Sequence, residues 1–239
     1  MKNIPITDAR NIAIMGHTGS GKTSLVDALL FKFGINDRLG SPANGSSMAD
    51  YTDEEKNRKI TLFAKPFSAT YKTSAGKTVD LAFIDTPGYM DFFGQVIAAS
   101  RATDAALITI DVSAGIQVGT QQVWRNTNRQ KLARGIVVTG LDKEYTDFFK
   151  VLEAIQTAFG ANCVPVTIPL PDKSGVVDVL AAKNVPAAVK EKVDEIKGQL
   201  VERAAETNDS LIEKFLGGEE LSAEEIGNGL RAAVRNGGL

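Results

Sequence analysis

The residues best suited to chemistry form one glycine-rich stretch near the start of the chain, Gly16-His17-Thr18-Gly19-Ser20-Gly21-Lys22-Thr23, followed by Ser24. This stretch matches the pattern G-x-x-x-x-G-K-[ST], in which glycines allow the backbone N–H groups to surround an anion. The lysine supplies a cation for phosphate oxygens, and the hydroxyl after it can ligate Mg²⁺. The stretch therefore predicts a phosphate-binding loop, with Lys22 on the terminal phosphates and Thr23 on the metal.

The neighbouring residues predict the elements that hold this loop in place. Residues 11–15 form a short apolar run typical of a buried parallel strand. Residues 24–33 place Leu25, Ala28 and Leu29 at helical spacing, which predicts an amphipathic helix. A helix N-terminus directly after the loop favours negative charge. A glycine-rich turn that serves packing alone is the alternative, and the strand–loop–helix context argues against it.

A second candidate group, Asp85-Thr86-Pro87-Gly88, follows a predicted strand over 78–84. Open α/β sheets bind ligands beyond the carboxyl ends of their strands. Asp85 would occupy the Mg²⁺ shell, and the backbone N–H of Gly88 would bind a terminal phosphate. An ordinary Asp-Pro-Gly turn is the alternative, because these residue types favour turns by themselves.

The rest of the first 159 residues predicts an α/β domain with a mostly parallel sheet. Strands over 105–111 and 135–139 alternate with helices over 92–102, 118–130 and 145–159, and such alternation implies right-handed crossovers. The β-rich runs 60–71 and 78–84, joined by a turn at 73–77, read as an antiparallel hairpin at the sheet edge. Residues 34–59 lack periodicity, which indicates a functional loop.

The pattern changes after Gly160 and predicts a separate, smaller α+β subdomain over 160–239. Short strands are expected over 163–169 and 176–180, followed by helices over 187–206, 209–216 and 222–235. The residues there form no cluster suited to binding phosphate or metal or to nucleophilic catalysis.

Composition excludes several classes of protein. The 239 residues include 27 basic and 29 acidic side chains, so no global positive field argues for nucleic acid. The single cysteine, Cys163, cannot form an internal disulfide. There is no apolar run of about 18 residues that would predict a membrane span, and no signal peptide is evident.

Several separate segments together resemble translational GTPases, and the last of them resembles the inserted subdomain of elongation factor G. They are Asn11-Ile12-Ala13-Ile14 with Gly16-His17, Ile60-Thr61, Asp85-Thr86-Pro87-Gly88-Tyr89-Met90-Asp91-Phe92, Asp111-Val112-Ser113-Ala114-Gly115 and Lys214-Phe215-Leu216-Gly217-Gly218-Glu219-Glu220-Leu221. The resemblance runs from Arg10 to about Asn236 and implies a P-loop NTPase domain of the GTPase type. Because Tyr89 stands where the family has histidine, the chain resembles the elongation factor G-like paralogues. The resemblance also implies that the domain lacks its last strand and that the full-length protein has further C-terminal domains.

The resemblance implies a role for each matching position. Lys22 and the loop amides would hold the β- and γ-phosphates, and Thr23 and Thr61 would ligate Mg²⁺ with Asp85 behind them. Asp142, after Thr139, would accept hydrogen bonds from guanine. The catalytic set would be Lys22, Thr61, Gly88 and Tyr89. Residues 36–61 and 88–99 would be the two switches.

The chain departs from the family pattern at three places, and each departure changes what is expected of the site. Tyr89 replaces the histidine that orients the attacking water, and a phenol is a poor substitute for imidazole. The family's Asn-Lys-x-Asp is Thr139-Gly140-Leu141-Asp142, so guanine preference with lowered affinity is expected. Gly19 replaces an aspartate of the loop, which removes any cation bound by that carboxylate.

We therefore expect a cytoplasmic, monomeric GTP-binding domain that uses GTP, GDP and Mg²⁺, acts on the ribosome and hydrolyses GTP slowly. Contact with a membrane is not expected. Three alternatives remain open: a GTP-dependent binding switch with little or no hydrolysis, an ATP-using P-loop protein, and a chain that no longer binds nucleotide.

Overall fold

The first part of the chain folds around a sheet. The structure, a computed structural model, describes residues 5–73, 76–182 and 184–236. Within these residues the sheet has five strands, β1 (Ala9–Gly16), β2 (Lys65–Lys72), β3 (Thr78–Asp85), β4 (Ala105–Asp111) and β5 (Ala133–Thr139), in the order β2-β3-β1-β4-β5. β3, β1, β4 and β5 are parallel, and β2 pairs with β3 in the antiparallel sense. The predicted α/β fold with one antiparallel edge strand is confirmed.

Helices on both faces bury the sheet. Neighbouring residues of β1 point to opposite faces, as the two-residue period of a strand requires. Met15 packs in a cluster with Val96 of α3 (Phe93–Arg101) and Val123 of α4 (Val118–Arg129). On the other face Ile14 packs with Val26 and Leu30 of α1 (Lys22–Lys32). Because β1 is central and fully buried there, it provides a rigid base for the loop that follows it.

The segment between α1 and β2 differs from its prediction in two respects. The expected loop over 34–59 contains a short helix, α2 (Asp53–Arg58), which begins with a capping box formed by Thr52 and Glu55. The expected strand over 60–71 begins only at Lys65. The backbone N–H groups of Leu62 and Phe63 donate to the Glu55 carboxylate instead of to a neighbouring strand, so this stretch follows α2. The predicted turn at 73–77 includes residues 74 and 75, which lie outside the described residues.

The chain divides into two compact units, Met1–Thr139 and Gly140–Leu239, whereas the sequence places a boundary after residue 159. The second unit contains β6 (Thr167–Pro169) paired antiparallel with β7 (Val176–Asp178). Its helices within the described residues are α5 (Phe148–Phe159), α6 (Ala187–Ala205), α7 (Asp209–Leu216) and α8 (Ala223–Asn236). Its core joins Ile168 and Val177 of the strands to Val193, Ile196 and Leu200 of α6. None of the helices described here or in the first unit is long and apolar enough to cross a membrane.

The packing of α8 on α6 depends on Gly229, and this dependence can be tested. A Cβ atom at Gly229 would lie 2.4 Å from the carbonyl oxygen of Ala204, whereas a Cβ at Gly227 would meet no heavy atom within 4 Å. We expect Gly229→Ala to lower the free energy of unfolding by about 1–3 kcal/mol, because the helices must separate. Gly227→Ala in the same helix should raise it by up to about 1 kcal/mol. Urea unfolding of both variants checks the difference, and equal effects would contradict this close packing.

Candidate functional site

The carboxyl ends of the parallel strands bring the two candidate segments together. Ile14 of β1 is in register with Asp85 of β3, and Gly16 is in register with Thr109 of β4. The hydroxyl of Thr86, just after β3, donates to the carbonyl of Ile14 at 2.7 Å. The loop after β1 and the segment after β3 therefore lie at the same edge of the sheet, where α/β folds place ligands.

Hydrogen bonds to two other strands brace the loop. The Ser20 hydroxyl donates to the carbonyl of His17 at 2.7 Å and lies 2.6 Å from the hydroxyl of Thr109. The hydroxyl of Thr139, at the end of β5, donates to the carbonyl of Ser20 at 2.9 Å. Gly21 has a φ of 82°, a left-handed conformation that a glycine adopts without strain. The loop conformation is thus held by side chains from β4 and β5.

Lys22 extends back over the loop beside Gly88. Its Nζ donates to the carbonyl of His17 at 2.7 Å, and its side chain is 5% exposed. A Cβ at Gly88 would lie 2.5 Å from Nζ and 2.7 Å from the Cα of Thr18, so only glycine fits there. Burial lowers the pKa of Lys22 to about 8, although the charge of Asp85 acts in the opposite direction. A buried ammonium of this kind is stabilised by a bound anion.

His17, the only histidine of the sequence, faces helix α4. Its Nδ1 is buried without a hydrogen-bond partner among the described residues. A Cβ at Gly119 would come within 2.5 Å of this atom. Burial lowers the pKa of His17, and the charge of Lys22 lowers it further. A neutral imidazole packed against α4 is a contact between the loop and that helix.

Four oxygen-bearing side chains, those of Thr23, Thr61, Asp50 and Asp85, form a chain of contacts. The hydroxyl of Thr23 donates to Oδ2 of Asp85 at 3.0 Å, and the hydroxyl of Thr61 donates to Oδ1 of Asp50 at 2.9 Å. The two hydroxyl oxygens lie 2.9 Å apart. Burial raises the pKa of Asp85 to about 7, opposed by the charge of Lys22, and burial also raises the pKa of Asp50. Residues from the loop, the α1–β2 segment and β3 are thus brought into one cluster.

The arrangement of these oxygens suits a small divalent cation. The two threonine hydroxyls have only two hydrogens between them. When both carboxylates are ionised, each hydrogen is donated to a carboxylate, and none remains for the contact between the two hydroxyl oxygens. Oδ1 of Asp85 is buried and has no hydrogen-bond partner within the described part of the chain. Oxygen ligands with few protein carboxylates are typical of Mg²⁺ held together with phosphates. The described residues contain no cluster of three or more His, Cys, Asp or Glu side chains arranged as a metal site.

Two predicted site residues lie outside this cluster of contacts. Tyr89 follows Gly88 and precedes a 3₁₀ turn over Met90–Phe92, and its side chain is 41% exposed without capping that turn. Asp142 is exposed and belongs to the second unit, in a turn in which the N–H of Lys143 donates to the carbonyl of Gly140. The roles of both residues remain predictions.

Sequence reasoning missed three buried charged residues near Thr61: Asp50, Glu55 and Lys65. Nζ of Lys65 lies 2.6 Å from Glu55 and 3.6 Å from Asp50, and all three side chains are buried. The pattern Thr52-x-x-Glu55 signals a capping box, which could have located α2. Lys65 lies on the same face of β2 as Phe67 and Ala69, so its inward position could have predicted a buried partner.

Comparisons with known proteins agree with this geometry. Residues 7–226 match the family described as the elongation factor Tu GTP binding domain. A crystal structure of a protein from Thermus thermophilus superposes with a TM-score of 0.86 and 34% sequence identity. The match covers 95% of this chain and 36% of that one, so this chain spans little more than a third of the length of that relative.

Proposed function

The chain belongs to the family of elongation factor Tu GTP-binding domains, which implies guanine nucleotide binding, and we propose that it binds GTP together with Mg²⁺ and changes conformation with the state of the nucleotide. The observation that carries this proposal is the contact between Thr61 and Thr23, whose hydroxyl donates to Asp85. This contact joins the segment between α1 and β2, which carries Thr61, to the phosphate loop. Such a contact gives that segment a direct means of sensing the ligand.

Each residue of the cluster has a proposed part in binding. Lys22 would donate to oxygens of the β- and γ-phosphates, and the N–H of Gly88 would donate to the γ-phosphate. The hydroxyls of Thr23 and Thr61 would hold Mg²⁺, with the carboxylate of Asp85 behind them. When bound, the metal neutralises the charge that develops on the phosphate oxygens.

We propose slow hydrolysis of GTP, because Tyr89 stands beside Gly88 where the related factors have histidine. A binding switch with little or no turnover is the second candidate. It is favoured by the exposure of Tyr89, a residue that is 41% exposed to solvent, and by Gly140 and Leu141 in the base motif. Both candidates share one nucleotide site and differ in the chemistry that follows binding.

The proposed setting is translation on the ribosome, within an elongation factor G-like protein whose Tyr89 marks a paralogue. The support is the match to an elongation factor domain and the resemblance of the Asp85–Phe92 segment to translational GTPases. The proposed organisation is a GTP-binding domain over 1–159 with an inserted α+β subdomain over 160–239. We propose a cytoplasmic location for the protein.

Competition between nucleotides tests the guanine assignment. We expect GDP to bind at least about 100-fold more tightly than ADP, because a site built for particular hydrogen bonds rejects a base that cannot make them. Asp142→Asn should weaken GDP binding by about 10- to 100-fold, since an amide cannot accept both guanine N–H groups. ADP binding should not change.

Asp194→Asn on the exposed side of α6 is the matched control, because it removes one negative charge from the same unit. Equal affinities for GDP and ADP in the unmodified protein would show that Asp142 does not select the base.

A further inference from the structure

Three buried charged residues lie around the segment that carries Thr61: Asp50, Glu55 and Lys65. Their side chains are between 0% and 5% exposed. Charged groups are almost never buried to this extent without paired partners, and retaining such a cluster entails a large desolvation cost. Because Asp50 contacts Thr61 and Glu55 contacts the residue after it, these charges are placed to control the position of Thr61.

Glu55 fixes the backbone that follows Thr61. Its Oε1 accepts hydrogen bonds from the N–H of Leu62 at 2.9 Å and of Phe63 at 3.4 Å. Its Oε2 accepts from the hydroxyl of Thr52 at 2.7 Å and pairs with Lys65. One buried carboxylate therefore ties the start of α2, the residues after Thr61 and the first residue of β2 together.

Asp50 fixes the side chain of Thr61 itself. Its Oδ1 accepts the hydroxyl hydrogen of Thr61 at 2.9 Å and lies 3.6 Å from Nζ of Lys65. Thr61 is thus held through its hydroxyl by Asp50 and through the following backbone by Glu55. Both carboxylates lie within ion-pair distance of the same ammonium group, that of Lys65.

The sheet determines where that ammonium group lies. Lys65 is the first residue of β2 and is in register with Asp85 across the antiparallel pair, so both side chains point to the same face. Nζ also donates to the carbonyl of Ala49, and it lies 4.9 Å from the centre of the Tyr51 ring. Lys65 is therefore held by the sheet and contacts both the start of the Asp50–Thr61 segment and Glu55 in its middle.

From these contacts we propose that Lys65 is a positioning residue: through Asp50 and Glu55 it holds Thr61 against Thr23 and thereby favours nucleoside triphosphate over diphosphate. The preference for triphosphate rests on the proposed function, because it assumes that Thr61 takes part in binding the Mg²⁺–triphosphate unit. The holding of Thr61 itself does not depend on that assumption. Lys65 need not touch the nucleotide to act in this way.

The test compares Lys65→Met with the unmodified full chain by two measurements. We expect the ratio of affinities for a non-hydrolysable GTP analogue and GDP to fall about tenfold, mainly through weaker triphosphate binding, because releasing Thr61 loses about one hydrogen bond to a charged group. Trypsin should also cleave after Arg58 and Lys59, which are exposed, about tenfold faster as the segment opens.

Three further variants make the result specific. Lys65→Arg keeps the charge and should recover most of the affinity ratio. The double variant Lys65→Met with Glu55→Gln removes the charge of the closer carboxylate as well and leaves only Asp50, which still accepts from Thr61. It should fold and still show the lowered ratio. Lys77→Met breaks the more exposed pair with Asp8, whose atoms lie 2.6 Å apart in the same unit, and should change neither measurement.

The outcomes separate the two proposals. If the unmodified chain binds neither nucleotide, the proposed function fails, and the cleavage rates alone decide whether Lys65 holds the segment. If nucleotides bind but Lys65→Met changes neither the affinity ratio nor cleavage after Arg58 and Lys59, the positioning role is overturned. Equal losses of GTP-analogue and GDP affinity in Lys65→Met would also overturn it, because they would indicate a general loss of structure.

Discussion

Replacing Lys22 with methionine is expected to lower the affinity for both GTP and GDP by about 100-fold, because a hydrogen bond to a charged group contributes about 1.5–3 kcal/mol and this ammonium would serve more than one phosphate oxygen. The side chain of Lys22 is 5% exposed and points back to the carbonyl of His17. Water therefore cannot replace the lost contact. Titration with a fluorescent guanine nucleotide measures the effect.

The matched control is Lys32→Met at the end of the same helix. Lys32 is exposed, and its removal changes the net charge by the same amount without touching the loop. We expect it to leave nucleotide affinity within about twofold of the unmodified protein. Thermal unfolding should show that Lys22→Met is folded, because methionine fills a similar volume and burial already disfavours the charged form of Lys22. A loss of less than about threefold in Lys22→Met would contradict the phosphate assignment, since one charged hydrogen bond alone contributes more than that.

Replacing Tyr89 with histidine is expected to raise the rate of single-turnover GTP hydrolysis on ribosomes by about 100-fold, the usual contribution of a well-placed general base or water-orienting group. The change should not disturb the fold. Tyr89 is 41% exposed, and its side chain makes no capping hydrogen bond to the turn over Met90–Phe92. An imidazole beside Gly88 can accept a hydrogen bond from the attacking water, which a phenol does poorly.

Tyr89→Phe is the control for this experiment, because it removes only the hydroxyl group. We expect it to hydrolyse GTP at about the rate of the unmodified protein, and all three proteins to bind GDP within about twofold of one another. If neither the unmodified protein nor Tyr89→His turns over GTP on ribosomes, the enzyme assignment is wrong and the binding switch is the better description. A faster Tyr89→His protein would show that the rest of the site can still catalyse.

The parts of the fold that follow from local rules could be predicted from the sequence. Strands β1 and β4 are short apolar runs, and α7 has the predicted bounds Asp209–Leu216. Periodicity and glycine content are properties of residues close together in the sequence, so the elements they specify can be predicted without knowledge of the tertiary structure. The beginning of β2 was not predictable in this way, because the N–H groups of Leu62 and Phe63 donate to the Glu55 carboxylate instead of to a neighbouring strand.

By itself the sequence determined the loop Gly16–Thr23, the acidic strand end at Asp85 and the alternation of strands and helices along the chain, since each depends on residue types at short spacing. The resemblance to translational GTPases implied that Thr61 meets Thr23, and the structure places their hydroxyl oxygens in contact across 38 residues of chain. Only the tertiary structure decided that the buried charges of Asp50, Glu55 and Lys65 gather around the segment that carries Thr61. The physical reason is that a buried charge is tolerated only where the whole fold brings its partners to it. Those partners come from a loop, a helix and an edge strand, and no local sequence pattern predicts that these three elements contact one another.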